Sequence, residues 1–411
     1  MRISTHQLQQ VAINAMQEQQ KKLSAVQQKV ATGKKNLKPS DDPVAAAKVV
    51  NLKDTLETNE QYLDNINAAR ARLTLEEGIL SKATDLLQRV RELAVMANND
   101  SQTNESRAFI AEEVDQLLNE LLGLANSTDS SGEFLFAGAK SRFKPFTRNE
   151  FGEFDYHGDD GQRFLQIGPR RSIATGDNGT ETFRSIRDGN GDFVVLDNPG
   201  NKGSGVADPG NVVGDYKMGT YALVFEKVLP EGEHVLEEDA YLSYKVVDDS
   251  GNEILPAGER YVSGNAITFA DIAISIEGEP AEGDFFVVRP SLNQDVFTTI
   301  KRLVDGLREA KSDSVSRAKL HNEVNRTLLG LDQALGNILE VRASVGARIN
   351  ALDGQEDINE AYMLQIREIL SGVEDLDYAE AVSDLNLKLT GLEASQKAFT
   401  RVQNISLFNY I

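Results

Sequence analysis

Two amphipathic stripes lie at opposite extremes of this polypeptide, and neither tolerates full exposure to water. Near the start, Met16, Leu23 and Val30 recur every seven residues, interleaved with Ala12, Gln19 and Val26. Near the end, Leu385, Leu392 and Phe399 recur in the same way, interleaved with Val382, Leu389 and Gln396. A seven-residue repeat with two apolar positions marks a helix that packs lengthwise against another helix. Each stripe contains one glutamine, so a coil of these two helices alone is marginal. The chain is therefore expected to pair its first and last helices and to complete their ordering when identical or related chains surround them.

Between the two stripes the composition changes twice. From residue 1 to about 130 the chain is nearly free of proline and rich in helix formers. One break is plain, at Lys38-Pro39-Ser40-Asp41-Asp42-Pro43, where Ser40, Asp41 or Asp42 is placed to cap a second helix and Pro43 suits its first turn. That helix is expected over 44–98, with a third over 105–125. From about Phe134 to Pro290, glycine and aspartate cluster around short runs of β-formers. Strands are expected at residues 134–136, 163–167, 193–196, 221–225, 241–247, 266–269 and 285–288. Helix returns from Gln294, with breaks expected at Asp313, Gly354 and Gly372.

The fold class that follows is mainly α with an inserted all-β domain, organised as an antiparallel hairpin of long helices. The expected divisions are 1–38 with 376–411 for the paired terminal helices, 39–147 with 291–375 for a helical rod, and 148–290 for the β insert. Met16, Leu23, Val26 and Val30 are expected to pack on Val382, Leu385, Leu389, Leu392 and Phe399.

Charge and residue usage remove several function classes. A formal net charge of -21 opposes nucleic acid and anionic membrane as partners, because both are held through Lys and Arg. Cysteine is absent, which removes disulfides, thiolate metal sites and thiol nucleophiles. No run approaches the roughly 18 apolar residues of a membrane span. Met1 to Gln20 shows no basic start, apolar stretch and small-residue cleavage site, so export, where it occurs, is expected to retain the N-terminus.

Signals of chemistry are equally thin. The four histidines, His6, His157, His234 and His321, have no second ligand at metal spacing. Asp188-Gly189-Asn190-Gly191-Asp192 opens like a calcium loop, but Phe193 stands where glycine is needed and Pro199 where the closing glutamate belongs. A β-turn is the expected role. Gly203-Ser204-Gly205 lacks the lysine and the following helix of a phosphate cradle. No catalytic residue, metal or cofactor is expected. A carboxylate-pair glycosidase and a glycan-binding insert are the rival classes, tested by substrate screening and by ligand binding to residues 148–290.

Several motifs resemble the flagellin superfamily. They are Met1-Arg2-Ile3-Ser4-Thr5, Gln27 to Lys35, Pro39 to Ala47, Gly132 to Gly138, Gly283 to Ser291, Arg342 to Asn350, Leu389 to Phe399, and Ser406-Leu407-Phe408-Asn409-Tyr410-Ile411. The likeness spans nearly the whole chain and is nearest to the members that join hook to filament; the filament subunit itself is the alternative. It implies a flagellin-type fold with the paired ends forming an inner tube and a short hairpin at 132–138. It also implies a non-enzymatic, extracellular adapter that is a monomer in solution and a ring in the flagellum. Export through the flagellar type III channel, an export chaperone, and hook-associated protein 1 and flagellin as axial partners come with it. Leu407 and Phe408 join the seam residues as the expected assembly positions.

Overall fold

A computed structural model describes residues 5–229 and 240–404. The helices are α1 (Thr5–Thr32), α2 (Pro43–Ala97), α3 (Asn104–Ala125), α4 (Val296–Glu309), α5 (Ser314–Glu374) and α6 (Tyr378–Asn404). Their starts follow from capping chemistry. Asp42 Oδ1 accepts hydrogen bonds from the amides of Val44 at 3.1 Å and Ala45 at 2.9 Å, with Pro43 in the first turn of α2. Thr103 caps α3 through the amide of Ser106 and Asp295 caps α4 through the amide of Thr298. Asp313 does the same for α5 through Ser316, at the expected break.

The breaks expected at Gly354 and Gly372 do not occur, because α5 runs through both. A glycine inside a helix costs about 1 kcal/mol against alanine. The same stretch buries Leu352, Met363 and Ile366, and burying an aliphatic side chain of this kind contributes about 1.5–3 kcal/mol. Packing outweighs propensity.

The strands fall in chain order as β1 (Phe146–Arg148), β2 (Phe154–Tyr156), β3 (Phe164–Gly168), β4 (Arg171–Ala174), β5 (Ile186–Arg187), β6 (Phe193–Asp197), β7 (Val206–Ala207) and β8 (Asn211–Val212). They continue as β9 (Tyr221–Val228), β10 (Tyr241–Asp248), β11 (Glu253–Leu255), β12 (Ala266–Phe269), β13 (Ile272–Glu277), β14 (Phe285–Pro290) and β15 (Asn293–Gln294). An antiparallel sheet in the order β11-β10-β9-β14-β6 faces a smaller one in the order β12-β13-β7, with β8 also on β13. Alternate residues point inward, as the period of two requires. Leu223, Phe225, Val246, Phe286 and Val288 from one sheet share a core with Ile267, Ile272, Ile274 and Ile276 from the other.

Residues 134–136 are not a strand, and 132–138 is not a hairpin. Phe134 makes a single bridge to Thr128, and the chain then turns with Leu135 and Phe136 buried. Gly138 takes φ +66°, where a Cβ would stand 2.2 Å from the carbonyl oxygen of Asp159. The hairpin of this region is instead β1–β2.

The polypeptide divides into two compact units. One comprises Met1–Ile66, Ile167–Pro169 and Asp353–Ile411; the other comprises Asn67–Gln166 and Arg170–Leu352. In the second unit Glu76 is fully buried and accepts a hydrogen bond from the amide of Asp177 at 3.0 Å. Asp177 is paired with Arg348, and Arg72 with Asp129. Burial pushes the Glu76 carboxyl from 4.5 up to about 8, the Asp177 charge adds to the rise, and the Arg348 and Arg72 cations oppose it.

Since its folded value lies above its unfolded one, Glu76 contributes stability that is complete below pH 4.5 and lost as pH rises through about 8. E76Q keeps a neutral polar group there. It is expected to flatten the fall in melting temperature between about pH 6 and about pH 9, and to be the more stable protein at the alkaline end by on the order of 1–2 kcal/mol. Parallel melting curves for the two proteins across that range would show that Glu76 holds no extra proton.

Candidate assembly interface

Helix α1 ends where its periodic stripe ends. Gly33 adopts φ +67° and its amide donates to the carbonyl of Lys29 at 2.9 Å, a left-handed C-terminal stop that glycine adopts without a Cβ penalty. The chain then meets the far end of the polypeptide. The amide of Lys35 donates to the carbonyl of Glu374, the amide of Leu376 donates to the carbonyl of Gly33, both at 2.9 Å, and Lys34 bridges Asp375 antiparallel.

Side chains reinforce this clasp. Glu374 receives Lys34 Nζ at 2.7 Å on one oxygen and Lys53 Nζ at 2.9 Å on the other. The hydrogen bonds from Lys34 and Lys53 hold the Glu374 carboxyl below its ordinary 4.5, and the bond to Glu374 raises the Lys34 ammonium. The clasp is thus fully charged at neutral pH and weakens in acid, as the Glu374 carboxylate takes up a proton.

From the clasp, α1 and α6 lie against each other. On α1, Leu23 and Val26 are buried, and Ala12, Met16, Gln19 and Val30 are half-buried. These are the expected seam positions. On α6 the buried edge passes through Ala381, Leu385, Lys388, Leu392, Ser395 and Phe399. Leu385, Leu392 and Phe399 stand where expected, whereas Val382 and Leu389 are 45% and 38% exposed and Gln396 is exposed.

The difference has a geometric cause. Residues 382, 389 and 396 precede 385, 392 and 399 by three, while 381, 388 and 395 precede 385, 392 and 399 by four. Both choices satisfy the helical repeat. The structure takes the row of Ala381, Lys388 and Ser395, with Gly391 on the same side lying against the glutamine of α1. A Cβ on Gly391 would sit 2.8 Å from Gln19 Nε2. The Ser395 hydroxyl bonds back to the Gly391 carbonyl at 2.8 Å, and Lys388 closes on Asp384 at 2.7 Å. The signal for Ala381, Gly391 and Ser395 was present as small residues on one side of the leucine row. Leu407 and Phe408 lie outside the described residues.

Residues singled out for possible chemistry hold turns together. Asn190 Oδ1 accepts from the amides of Asp192 and Phe193, and Asp188 pairs with Arg289 at 2.6 Å. Two residues after His157, Asp159 Oδ1 accepts from the amides of Ala139 and Gly161. Among the described residues no three His, Asp or Glu side chains are grouped so as to hold a metal ion.

Comparison with known proteins agrees with this architecture. The bacterial flagellin N-terminal helical region matches residues 3–141, and the bacterial flagellin C-terminal helical region matches residues 328–411. The flagellar hook-associated protein 3 of Salmonella typhimurium is 25% identical over 408 residues, 99% of each chain. The crystal structure of flagellar hook-associated protein 3 from Legionella pneumophila is 32% identical, covers 78% of this chain and 98% of its own, and superposes with a TM-score of 0.73. A flagellin of Clostridium tyrobutyricum is 29% identical over 117 residues, only 28% of this chain. Paired terminal helices, an inserted β domain and near-complete alignment place the chain in the flagellin family, as a member of its hook-associated protein 3 branch.

Proposed function

We propose that this protein joins the flagellar hook to the filament, as a ring of subunits assembled after export. The observation that carries this reading is coverage: similarity to hook-associated protein 3 extends over 99% of both chains, whereas the alignment with the flagellin of Clostridium tyrobutyricum covers only 28% of this one. A protein doing this work transmits force through helix contacts and has no reaction to catalyse. The terminal pair, 1–38 with 376–411, forms the inner tube; 39–147 with 291–375 forms the rod; and 148–290 faces outward. Hook-associated protein 1 and flagellin are the axial neighbours. The chain travels through the flagellar type III channel without cleavage, a chaperone holding its C-terminal helix beforehand, and acts outside the cell.

In this reading the seam residues Met16, Leu23, Val26, Val30, Leu385, Leu392 and Phe399 keep the two ends together. Val382, Leu389, Leu407 and Phe408 meet neighbouring chains. Cells lacking the protein are expected to carry bare hooks and to release flagellin into the medium, visible by electron microscopy. The same is expected for a chain truncated before Leu407; attached filaments in either strain would refute the junction role. L23D, which places a charge at the buried centre of the seam, is expected to part α1 from α6, so that the variant is exported but fails to restore filaments. Normal filament attachment by L23D would show that the helix pair is dispensable.

A further inference from the structure

From Asp353 onward, α5 has a face that none of the described residues covers. The helix buries Gln355, Asn359, Met363 and Ile366 along one stripe. About a quarter-turn away by the helical period, Ile358, Tyr362 and Ile369 remain 59%, 46% and 39% exposed. Beyond them on the same side stand Gly354, Ala361 and Gly372, and a Cβ built on either glycine meets nothing within 4 Å. Each glycine weakens the helix relative to alanine, and no neighbour among the described residues requires the missing side chain. Space of this kind admits the close approach of a second helix.

Helix α6 carries the matching surface. Tyr378, Val382 and Leu389 are exposed and stand at positions i, i+4 and i+11. Ile358, Tyr362 and Ile369 have the same spacing. Neither set contains a charge, in a chain whose net charge of -21 makes two copies repel over most of their surface. We propose that the α6 stripe of one copy docks on the α5 stripe of a neighbouring copy, with Gly354 and Gly372 setting a short interhelical distance.

This contact rests on the junction reading and specifies how its subunits meet. Three part-exposed apolar side chains offer on the order of 300 Å² on each face, well under the roughly 800 Å² per partner of a stable interface. Free copies therefore stay apart. The contact forms where neighbours already hold the two faces at high effective concentration.

The absence of cysteine makes the test direct. In a deletion strain producing two full-length variants together, Y362C and V382C, mild oxidation of purified flagella is expected to give a mixed disulfide dimer. E360C, on the opposite side of α5, is expected to give none with V382C. Attached filaments without the Y362C–V382C dimer, or equal cross-linking of the E360C pair, would overturn the contact while leaving the junction role standing. Failure of the wild-type chain to restore filaments would instead remove the junction role itself. As a second measurement, G354L and G372L add side chains into open space, so each is expected to melt at or above the wild-type temperature yet fail to hold filaments. Normal attachment by both would refute the close approach.

Discussion

The covering of α1 by α6 is the constraint on which the rest depends. A single helix with a narrow apolar stripe is marginal in water, and its partner here comes from the opposite end of the chain. Closing so long a loop costs little more than closing a shorter one, since the entropy grows only logarithmically with length. The reward is local: burial of Leu23 and Val26, and two backbone hydrogen bonds between the segments around Gly33 and Glu374. The charged cluster of Lys34, Lys53 and Glu374 sits at the same point and fixes where the coil begins.

An insertion into a helical hairpin must leave near where it enters, and the β domain meets that requirement through its sheet order. β6, near its start, and β14, near its end, are antiparallel neighbours from Phe193 paired with Pro290 to Asp197 paired with Phe286. The two sheets close on their own apolar core, led by Phe193, Phe225, Ile274 and Phe286. An insert closed on its own core leaves the helical parts independent of it, and the family matches cover those helical regions and stop short of the middle.

Two buried or half-buried acids respond to pH in opposite directions. Glu374 is held charged by two ammonium groups, whereas Glu76 is held neutral by burial beside Asp177. The first contribution fades in acid and the second in alkali.

Much of this was legible in the residues themselves. Seven-residue spacing located the α1 seam, Asp42 and Asp313 announced helix starts, and runs such as Tyr241 to Val247 announced strands, because these signals depend on neighbours a few positions away. Small residues at 381, 391 and 395 marked one side of the leucine row on α6, but both 381/388/395 and 382/389/396 obey the helical repeat, and contact with α1 decides between them. It could not turn Phe134 to Phe136 away from a strand, because the carbonyl of Asp159 that crowds Gly138 comes from a distant part of the chain. Nor could it mark Gly354 and Gly372 as helical or Glu76 as neutral. Those outcomes belong to packing and burial, which exist only once remote segments have met.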